Sequence, residues 1–520
     1  MMTFLTILQI IFLTLNIQYI HSNNVLSFER PQKLSKLNSN QHSHNFRLKQ
    51  SICDNLSIFR QKVDHFDFQN TETFDQRYIF WSPDDAKEDG SKKAVLVYTG
   101  NEGDIPTFCI NEQLQFDIAK KHGYSVLFIE HRYYGESYPE KLVQSDDSMT
   151  YSYLSVEQAL SDYIEILSDS SLPFTDMKVV TFGGSYGGML SAFIRQKYPN
   201  RIAGAIVGSA PVALSARDHD PAGFNKVVTE TFKYYNFCDQ KIKKTWDYLS
   251  NSINSDDDVA AKFNLCRDNS KNYRNRLIDG LTGTYILLAM LNYDHAANFM
   301  VPLPAWPVEY LCDKVEKIVQ NNNEYEEFHV IMETLQLTRN YTGEAKECLP
   351  LDVDLDSKTH LLSTTRKLKG IDMNSWAYQT CTQLAETQLL ASSPDDLFMN
   401  TTFSSPEEEI KAQKISMTEN CKSSFNVQPD FHYLQKNFGF FQGDESTLTS
   451  NTVWTNGQFD PWRAGRPNID KNIQDLDIIM IDIEKGAHHA ELMPVCDQDP
   501  ISFYKARATI EKYVVKWIEN

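Results

Sequence analysis

The segment 177–194 places a serine among glycines at the junction between an apolar strand and a helix. The run 177–182 is typical of a buried strand, and the run 189–194 is typical of the beginning of a helix. Between them lies the pattern Gly-x-Ser-x-Gly, with Ser185 at its centre. Glycines relieve the steric crowding of such a sharp turn, and the helix N-terminus favours negative charge that develops beside the serine. The pattern predicts a nucleophilic serine, against the alternative of a glycine-rich structural turn.

The charge balance of the chain restricts its classes of partner. The 520 residues include 50 Lys and Arg against 69 Asp and Glu, which gives a formal net charge of −19. Such an acidic chain is a poor general binder of nucleic acid, so we expect no nucleic-acid partner. The length is sufficient for one large domain with a substantial insertion, or for several average domains.

The N-terminal region predicts entry into the secretory pathway. The apolar run 4–15 is short for a membrane span and precedes polar residues and the small residue Ser22, so we interpret 1–22 as a signal peptide. Its first residues lack Lys and Arg, which leaves an uncleaved anchor as the alternative. Residues 23–50 are mostly polar and are interpreted as a disordered leader or pro-segment. We expect no membrane span after removal of the signal peptide, and a lysosomal, vacuolar or extracellular location.

Nine cysteines without a Cys-x-x-Cys metal pattern indicate disulfides in a secreted chain. Because nine is an odd number, at least one cysteine is free or pairs between chains. Three sequons, at Asn55, Asn340 and Asn400, are candidate glycosylation sites in the secretory pathway. We expect neither a metal ion nor another cofactor.

The order of apolar runs and helical patterns predicts an α/β protein with an inserted helical region. Strand-like runs alternate with helical spacing from residue 94 to residue 207, which implies a mostly parallel sheet covered on both faces. We divide the chain into a first part of the sheet domain at 51–215, a helical cap at 216–430 with six of the nine cysteines, and a second part at 431–520. With the serine turn, this order predicts an α/β-hydrolase fold with a disulfide-stapled helical cap domain.

Two loops near the C-terminus offer the partners that a nucleophilic serine needs. A serine requires a histidine base, and the histidine requires a carboxylate that orients it. In α/β-hydrolases these residues follow in the order Ser, Asp or Glu, and His. The last two predicted strands end before Asp460 and before the pair His488-His489. Each residue taken alone could belong to an ordinary turn or surface, but their order and their positions at strand ends predict a triad with Ser185.

In its motifs, the chain resembles the family of serine peptidases that includes lysosomal Pro-Xaa carboxypeptidase, dipeptidyl peptidase II and thymus-specific serine protease. The matching motifs extend from Phe59 to His489 and cover nearly all of the chain after the leader. They comprise Gln61–Phe66, Gln76–Tyr78, Gly100–Ile105, Glu130–Ser137, Gly183–Gly188, Leu303–Pro307, Tyr378–Thr382, Asn456-Gly457 with Asp460–Trp462, and Gly486–His489.

The resemblance implies a serine exopeptidase that hydrolyses peptide bonds after proline through an acyl-enzyme. It assigns the triad to Ser185, Asp460 and His488, the first histidine of the pair. Peptides with proline at the cleaved position are the implied substrates. A homodimer is the implied assembly, because dimers occur in the family.

The resemblance also implies an oxyanion hole and a proline pocket. The backbone N–H of Tyr186 and the loop at Gly100 and Asn101 would bind the oxyanion. A compact aromatic pocket suits the flat, rigid ring of proline. Its walls are assigned to Trp462, Trp376, Met189 and Tyr186. Trp376 and Met189 could instead be ordinary core residues.

Three charged residues lie near the predicted site by loop position: Glu102, Glu130 and Arg132. They could bind a terminal group of the substrate, with Glu102 as the candidate, or they could hold the loops together as a buried ion-pair network, which is the preferred interpretation. A carboxypeptidase needs a cation or donors for a terminal carboxylate, whereas a dipeptidyl peptidase needs a carboxylate for a terminal amine. Cys109 and the segment 303–307 resemble the carboxypeptidase more closely, so a dipeptidyl peptidase is the alternative.

The family pattern also implies three of the disulfides. The implied pairs are Cys238–Cys312, Cys266–Cys348 and Cys381–Cys421. It leaves Cys53, Cys109 and Cys496 unassigned.

Two further classes of function remain as alternatives. An esterase or lipase would share the serine turn and the triad. A non-catalytic binding protein with a hydrolase fold would more often have lost one member of the triad, and all three are present here.

Overall fold

The computed structural model describes residues 51–83, 94–139, 151–214, 220–251, 255–267, 272–321, 326–341, 343, 347–350, 373–389, 396–439, 449–467 and 473–520. The signal peptide and leader expected at 1–22 and 23–50 lie outside the described residues. The boundary expected at residue 216 between sheet domain and cap also lies outside them.

The described residues form ten strands, eight of which belong to one mixed sheet. In chain order the strands are β1 (Leu56–Lys62), β2 (Thr73–Trp81), β3 (Ala94–Thr99), β4 (Ser125–Ile129), β5 (Lys178–Gly184), β6 (Ile202–Gly208), β7 (Ala297–Asn298), β8 (Pro302–Leu303), β9 (Thr452–Gly457) and β10 (Ile478–Ile483). The spatial order of the large sheet is β1-β2-β4-β3-β5-β6-β9-β10, while β7 and β8 pair separately. The strand β2 is antiparallel to both of its neighbours, and the other neighbouring pairs are parallel.

Helices lie between the strands and in one long insertion. They are α1 (Ile105–Asn111), α2 (Leu114–His122), α3 (Val156–Ser168), α4 (Ser185–Lys197), α5 (Gly223–Tyr234), α6 (Cys238–Asn251), α7 (Asp256–Lys262), α8 (Tyr273–Met290), α9 (Pro307–Gln320), α10 (Glu326–Arg339), α11 (Met373–Thr382), α12 (Pro406–Phe425), α13 (Tyr433–Phe438) and α14 (Ile501–Glu519). Helices α5 to α13 all fall between β6 and β9 in the chain, and α5 to α12 lie within the range 216–430 expected for the helical cap, whereas α13 lies beyond it. No helix among the described residues is both long enough and apolar enough to cross a membrane.

The sheet is buried on both faces. Every residue of β3 and β4 is buried, as expected for parallel strands that helices cover on both sides. One face packs against α3 and α4, and the other packs against α2 and α14. This strand order, with a helix directly after β5, is that of an α/β-hydrolase, so the predicted fold class is confirmed.

Disulfides join elements of the cap and of the sheet domain. Within the cap they join Cys238 to Cys312, Cys266 to Cys348 and Cys381 to Cys421, which are the three pairs that the family resemblance implies. A fourth disulfide joins Cys53 to Cys109, two cysteines that sequence reasoning left unassigned. Cys496 is a free thiol.

Candidate active site

The chain turns sharply from β5 into α4 at Ser185. Ser185 is the first residue of α4 and has a φ angle of 58°, a left-handed conformation that is costly for a residue with a side chain. Its side chain is half-buried, whereas its neighbours on both sides are buried. Among the described residues, its hydroxyl has no hydrogen-bond partner. The turn therefore presents an accessible hydroxyl at the N-terminus of a helix.

The backbone of this turn leaves no room for side chains next to the serine. A Cβ atom on Gly183 would lie 2.1 Å from the carbonyl oxygen of Gly187 and 2.7 Å from the amide nitrogen of Gly188. A Cβ atom on Gly187 would lie 2.1 Å from Oδ1 of Asn101. The glycines of the sequence pattern are therefore required by close approach of the backbone rather than by flexibility alone.

Replacement of Gly183 by alanine should strongly destabilise the fold. Its new methyl group would meet only backbone atoms, which cannot rotate away, so we expect a loss of about 3 kcal/mol in the free energy of unfolding. Urea denaturation measures this loss. The matched control is Gly223→Ala, whose new methyl group meets the Ala464 side chain at 3.3 Å and should cost far less. Equal stability of the two variants would contradict the steric argument.

Asp460 and His488 meet at the carboxyl ends of β9 and β10. The Nδ1 atom of His488 lies 3.0 Å from Oδ1 of Asp460. Oδ1 of Asp460 also accepts a hydrogen bond of 3.1 Å from the backbone N–H of Trp462. Both side chains are almost fully buried. Because Nδ1 faces the carboxylate, Nε2 of His488 remains available for a substrate or a nucleophile.

The cap holds the backbone of His488 on both sides. The N–H of His488 donates to the carbonyl oxygen of Met290 at 3.0 Å. The hydroxyl group of Tyr293 donates to the carbonyl oxygen of His488 at 3.1 Å. Met290 ends α8 and Tyr293 lies in the loop that follows it. The loop that carries His488 is therefore positioned by the insertion, a contact that no sequence pattern indicated.

The second histidine of the pair lies beneath the serine turn. A Cβ atom on Gly184 would lie 2.7 Å from Cγ of His489, so the ring packs directly against the turn. Nδ1 of His489 lies 2.9 Å from a carboxylate oxygen of Glu112, and both groups are buried. The ring centroids of His488 and His489 are 4.5 Å apart. Sequence reasoning missed Glu112, because only the tertiary fold brings it to the site.

The electrostatic surroundings of the two histidines differ. Burial lowers the pKa of His488 below its usual value of 6.5; Asp460 opposes this shift, and the charge of His489 adds to it. The pKa of His489 is raised, because the attraction of Glu112 outweighs the cost of its burial. The arrangement favours a neutral His488 beside a cationic His489.

The pH dependence of activity should show this lowered pKa. A histidine base must be neutral, so activity falls as the pH drops through its pKa, and a lowered pKa preserves activity into acid. We expect the acidic limb of the kcat/KM profile to lie below pH 6.5. The exposed His432 provides a control, since His432→Gln should leave the limb unchanged. A limb at or above 6.5 in the wild-type protein would contradict the assignment.

The loop after β3 is tied to the serine turn by side chains. The amide of Asn101 donates to the carbonyl oxygen of Gly184 at 2.8 Å, and the hydroxyl of Tyr98 donates to Oδ1 of Asn101 at 3.0 Å. The hydroxyl of Thr99 donates to the carbonyl oxygen of Gly187 at 2.7 Å. One N–H of the Asn101 side-chain amide is thus bound to the backbone of the turn, and its Oδ1 accepts from the Tyr98 hydroxyl.

The residues assigned to the pocket fall into two groups, and Trp376 contacts both of them. Trp462 packs against the ring of His488 at 6.2 Å and against Phe224 at 5.0 Å. Tyr186 and Met189 belong to the core on the other side of the turn. Trp376 is half-buried and packs against both groups, with its ring 5.4 Å from that of Tyr186. This contact brings residues of the cap over the serine turn.

The three charged loop residues do not form one network. Arg77 pairs with Glu130, and Arg132 pairs with Asp162. Glu130 and Arg132 therefore hold the loops through buried ion pairs, as expected, but these are two separate pairs instead of one network. Glu102 takes part in neither ion pair. It is 6% exposed, one of its carboxyl oxygens has no hydrogen-bond partner among the described residues, and burial raises its pKa to about 7.

The sequence has clear relatives. The family model described as serine carboxypeptidase S28 matches residues 61–510. The lysosomal Pro-X carboxypeptidase of Homo sapiens is 32% identical over 480 residues, which are 90% of this chain and 90% of that protein. The prolyl carboxy peptidase like protein 5 of Caenorhabditis elegans is 30% identical over 477 residues, 88% of this chain and 89% of that one. Among solved structures, the proline iminopeptidase of Mycobacterium smegmatis covers 89% of this chain and 99% of its own, with a TM-score of 0.32 and 9% identity.

Proposed function

The chain belongs to the serine carboxypeptidase S28 family, and we propose that this serine-type peptidase is an exopeptidase that hydrolyses peptide bonds after proline. The proposed triad is Ser185, Asp460 and His488. The observation that carries the proposal is the contact between Asp460 and Nδ1 of His488, at the sheet edge where the turn presents the Ser185 hydroxyl. Of the two kinds of exopeptidase, we favour a carboxypeptidase, which is how the lysosomal relatives are named.

The proposed mechanism follows from the positions of these groups. Ser185 Oγ attacks the carbonyl carbon, and its proton passes to Nε2 of His488. When the tetrahedral intermediate collapses, the C–N bond breaks and the same proton passes to the leaving amine. Water then attacks the resulting ester, again with His488 as base, and the acid product leaves with Ser185 restored. Asp460 holds the tautomer of His488 and stabilises its cationic form.

An oxyanion hole at the serine turn would stabilise both tetrahedral intermediates. We assign it to the backbone N–H of Tyr186, at the start of α4, and to the backbone at Gly100 and Asn101. The assignment is supported by the bond between Asn101 and Gly184, which fixes the loop against the turn. Each donor of this kind contributes about 3 kcal/mol to transition-state stabilisation.

The proposed proline pocket lies where the two groups of residues, one beside His488 and one beside Ser185, meet at Trp376. We assign its walls to Trp462, Trp376, Met189 and Tyr186, because Trp376 links the group beside His488 to the group beside Ser185. The hydroxyl of Tyr186 accepts a hydrogen bond from Gln379 at 2.8 Å, which fixes its ring. Flat aromatic surfaces suit a proline ring, which loses little entropy on binding.

One observation favours the second candidate, a dipeptidyl peptidase. Glu102 is a buried carboxyl group without an ionic partner among the described residues, and such a group would bind a terminal amine if ionised. Its pKa of about 7 makes it neutral in an acidic compartment, where it would not attract an amine. The carboxypeptidase therefore remains the first candidate.

Cleavage of two peptides at acidic pH separates the candidates. One peptide has a blocked N-terminus and ends in Pro-Phe, and the other has a free amine and a dipeptide ending in proline before a fluorophore. We expect cleavage of the first alone, whereas cleavage of the second alone would establish the dipeptidyl peptidase. If neither is cleaved above the background of Ser185→Ala, specificity for proline is wrong, and esters become the substrates to test.

The disulfides and the lysosomal relatives indicate the secretory pathway. Within it we propose a lysosomal, vacuolar or extracellular location. A homodimer remains a proposal from the family resemblance, and light scattering of the purified protein tests it.

A further inference from the structure

Two buried aspartates face each other across the contact between cap and sheet domain. Asp294 lies in the cap loop after α8 and is 1% exposed. Asp499 lies in the loop before α14, and its side chain is also 1% exposed. Oxygen atoms of the two carboxyl groups and the sulfur of Cys496 lie within 4.8 Å of one another. Neither aspartate belongs to the proposed triad or to its pocket.

Each carboxyl group has one oxygen bound to a neighbour outside the pair. His295 Nδ1 lies 2.8 Å from Oδ1 of Asp294. Oδ2 of Asp499 pairs with Arg507 and accepts the N–H of Cys496 at 3.2 Å. The other oxygens, Oδ2 of Asp294 and Oδ1 of Asp499, are buried and have no such neighbour among the described residues. One oxygen of each carboxyl group lies within 4.8 Å of an oxygen of the other, so two negative charges would lie side by side if both groups were ionised.

Two ionised carboxylates cannot hydrogen-bond each other, because a carboxylate is only an acceptor. One proton on the pair allows such a bond, with one group as donor and the other as acceptor. We propose that Asp294 and Asp499 share one proton and act as an acid-dependent clasp that positions the cap loop on the catalytic histidine. Above the titration of the pair, two buried negative charges would repel each other and loosen the contact.

The clasp connects directly to the backbone around His488. Asp294 follows Tyr293, whose hydroxyl donates to the carbonyl oxygen of His488 at 3.1 Å. On the other side, the guanidinium of Arg507 pairs with Asp499 and donates to the carbonyl oxygen of Glu491 at 2.9 Å. The two aspartates therefore link the cap loop that holds His488 to the segment that follows His488 in the chain. We assign Asp294 and Asp499 as positioning residues, since neither reaches the reacting atoms.

The charged groups around the pair favour the singly protonated state. Burial and the hydrogen bond with Asp294 raise the pKa of Asp499, although Arg507 opposes the shift. The pKa of Asp294 is lowered, because hydrogen bonds from His295 and Asp499 outweigh its burial. Burial and the nearby aspartates, which include Asp497, raise the pKa of the Cys496 thiol and keep it neutral.

The signs of these shifts define the range in which the clasp is closed. A raised pKa of Asp499 gives stability that is lost as the pH rises through it, and a lowered pKa of Asp294 gives stability that is lost as the pH falls through it. The clasp is therefore closed between the two values, which lie on either side of the ordinary 3.8. This range is acidic, as the proposed compartment is. The consequence for catalysis rests on the proposed function, whereas the effect on stability does not.

Asp294→Asn is the decisive variant. Asparagine can accept the hydrogen bond from His295 with its oxygen and donate to Asp499 with its amide, so the clasp stays closed without a shared proton. We expect the melting temperature of this variant to fall less than that of the wild type between about pH 3.8, which lies between the two pKa values, and about pH 7.5, by about 2 °C. Hydrogen exchange of the amides at 290–295 should also be slower than in the wild type at the higher pH.

Three further variants complete the test. Asp294→Ala removes the bond and should be less stable than the wild type at acidic pH, while Asp313→Asn, at an exposed position of the cap, should behave as the wild type. If Asp294→Asn fails to fold, Asp499→Asn removes the same titration. The proposal is overturned if the wild type and the asparagine variants lose the same melting temperature between the two pH values. Because these readouts need no substrate, they stand apart from the test of the proposed function.

Discussion

Ser185→Ala is expected to lower kcat about 10⁶-fold on a proline peptide, because the alanine has no hydroxyl group to form the acyl-enzyme. The proposed oxyanion donors and the proposed pocket would remain, so residual turnover above the uncatalysed rate is also expected. Substrate binding should change little, since the half-buried hydroxyl makes no hydrogen bond with the described residues. The measurement is single-turnover cleavage of the blocked peptide that ends in Pro-Phe.

The matched control for this variant is another serine of the same helix. Ser191 is buried in α4 and donates its hydroxyl to Oγ1 of Thr181 at 2.8 Å, away from the catalytic contacts. Ser191→Ala should therefore retain nearly full turnover, with at most a small loss of stability. Appreciable cleavage by Ser185→Ala, or an equal loss in Ser191→Ala, would exclude Ser185 as the nucleophile.

Asp460→Ala is expected to lower kcat about 10⁴-fold. Without the carboxylate, the tautomer of His488 is no longer fixed and its cationic form is no longer stabilised in a buried site. The control is Asp482→Ala, because Asp482 lies at the end of β10 with a side chain that is 61% exposed. A loss of less than about tenfold in the kcat of Asp460→Ala would contradict the proposed role of Asp460. Such a loss corresponds to less than about 1.36 kcal/mol of transition-state stabilisation.

Asp460→Asn distinguishes the charge of Asp460 from its hydrogen bond. One oxygen, Oδ1, accepts from both His488 Nδ1 and the N–H of Trp462, whereas Oδ2 has no partner among the described residues. The amide oxygen of asparagine can take the place of Oδ1 and preserve the tautomer of His488. We therefore expect a smaller loss of kcat than in Asp460→Ala, and an equal loss would show that the negative charge is indispensable.

The sequence predicted the parts of the site that depend on local patterns. Ser185 could be proposed as the nucleophile because the glycines, the strand and the helix of its turn are contiguous in the chain. Asp460 and His488 could be proposed because each follows an apolar run that forms a strand. The same reasoning predicted the central strands of the sheet, since their apolar runs are almost entirely buried.

Sequence reasoning did not predict the first two strands, β1 and β2, for a physical reason. β1 is an edge strand whose residues are mostly half-buried or exposed, so its apolar signal is weak. β2 carries the buried polar residues Gln76 and Arg77, which make sense only through distant partners.

The remaining features of the site arise from contacts between residues that are remote in the chain. The pairing of His489 with Glu112 and the hold of Tyr293 on His488 are buried polar contacts with no periodic signature. The proximity of the buried carboxyl groups of Asp294 and Asp499 likewise has no periodic signature. Such pairs are specified by the tertiary fold, because only the folded chain brings these residues together.

Labelling with a fluorophosphonate tests the central claim most directly. The account predicts one phosphonyl group per chain, mapped by mass spectrometry to the peptide that contains Ser185. It also predicts that labelling slows strongly in His488→Ala, because the hydroxyl then lacks its base. Absence of labelling in folded wild-type protein, or a label on another residue, would contradict the assignment of Ser185 as the nucleophile.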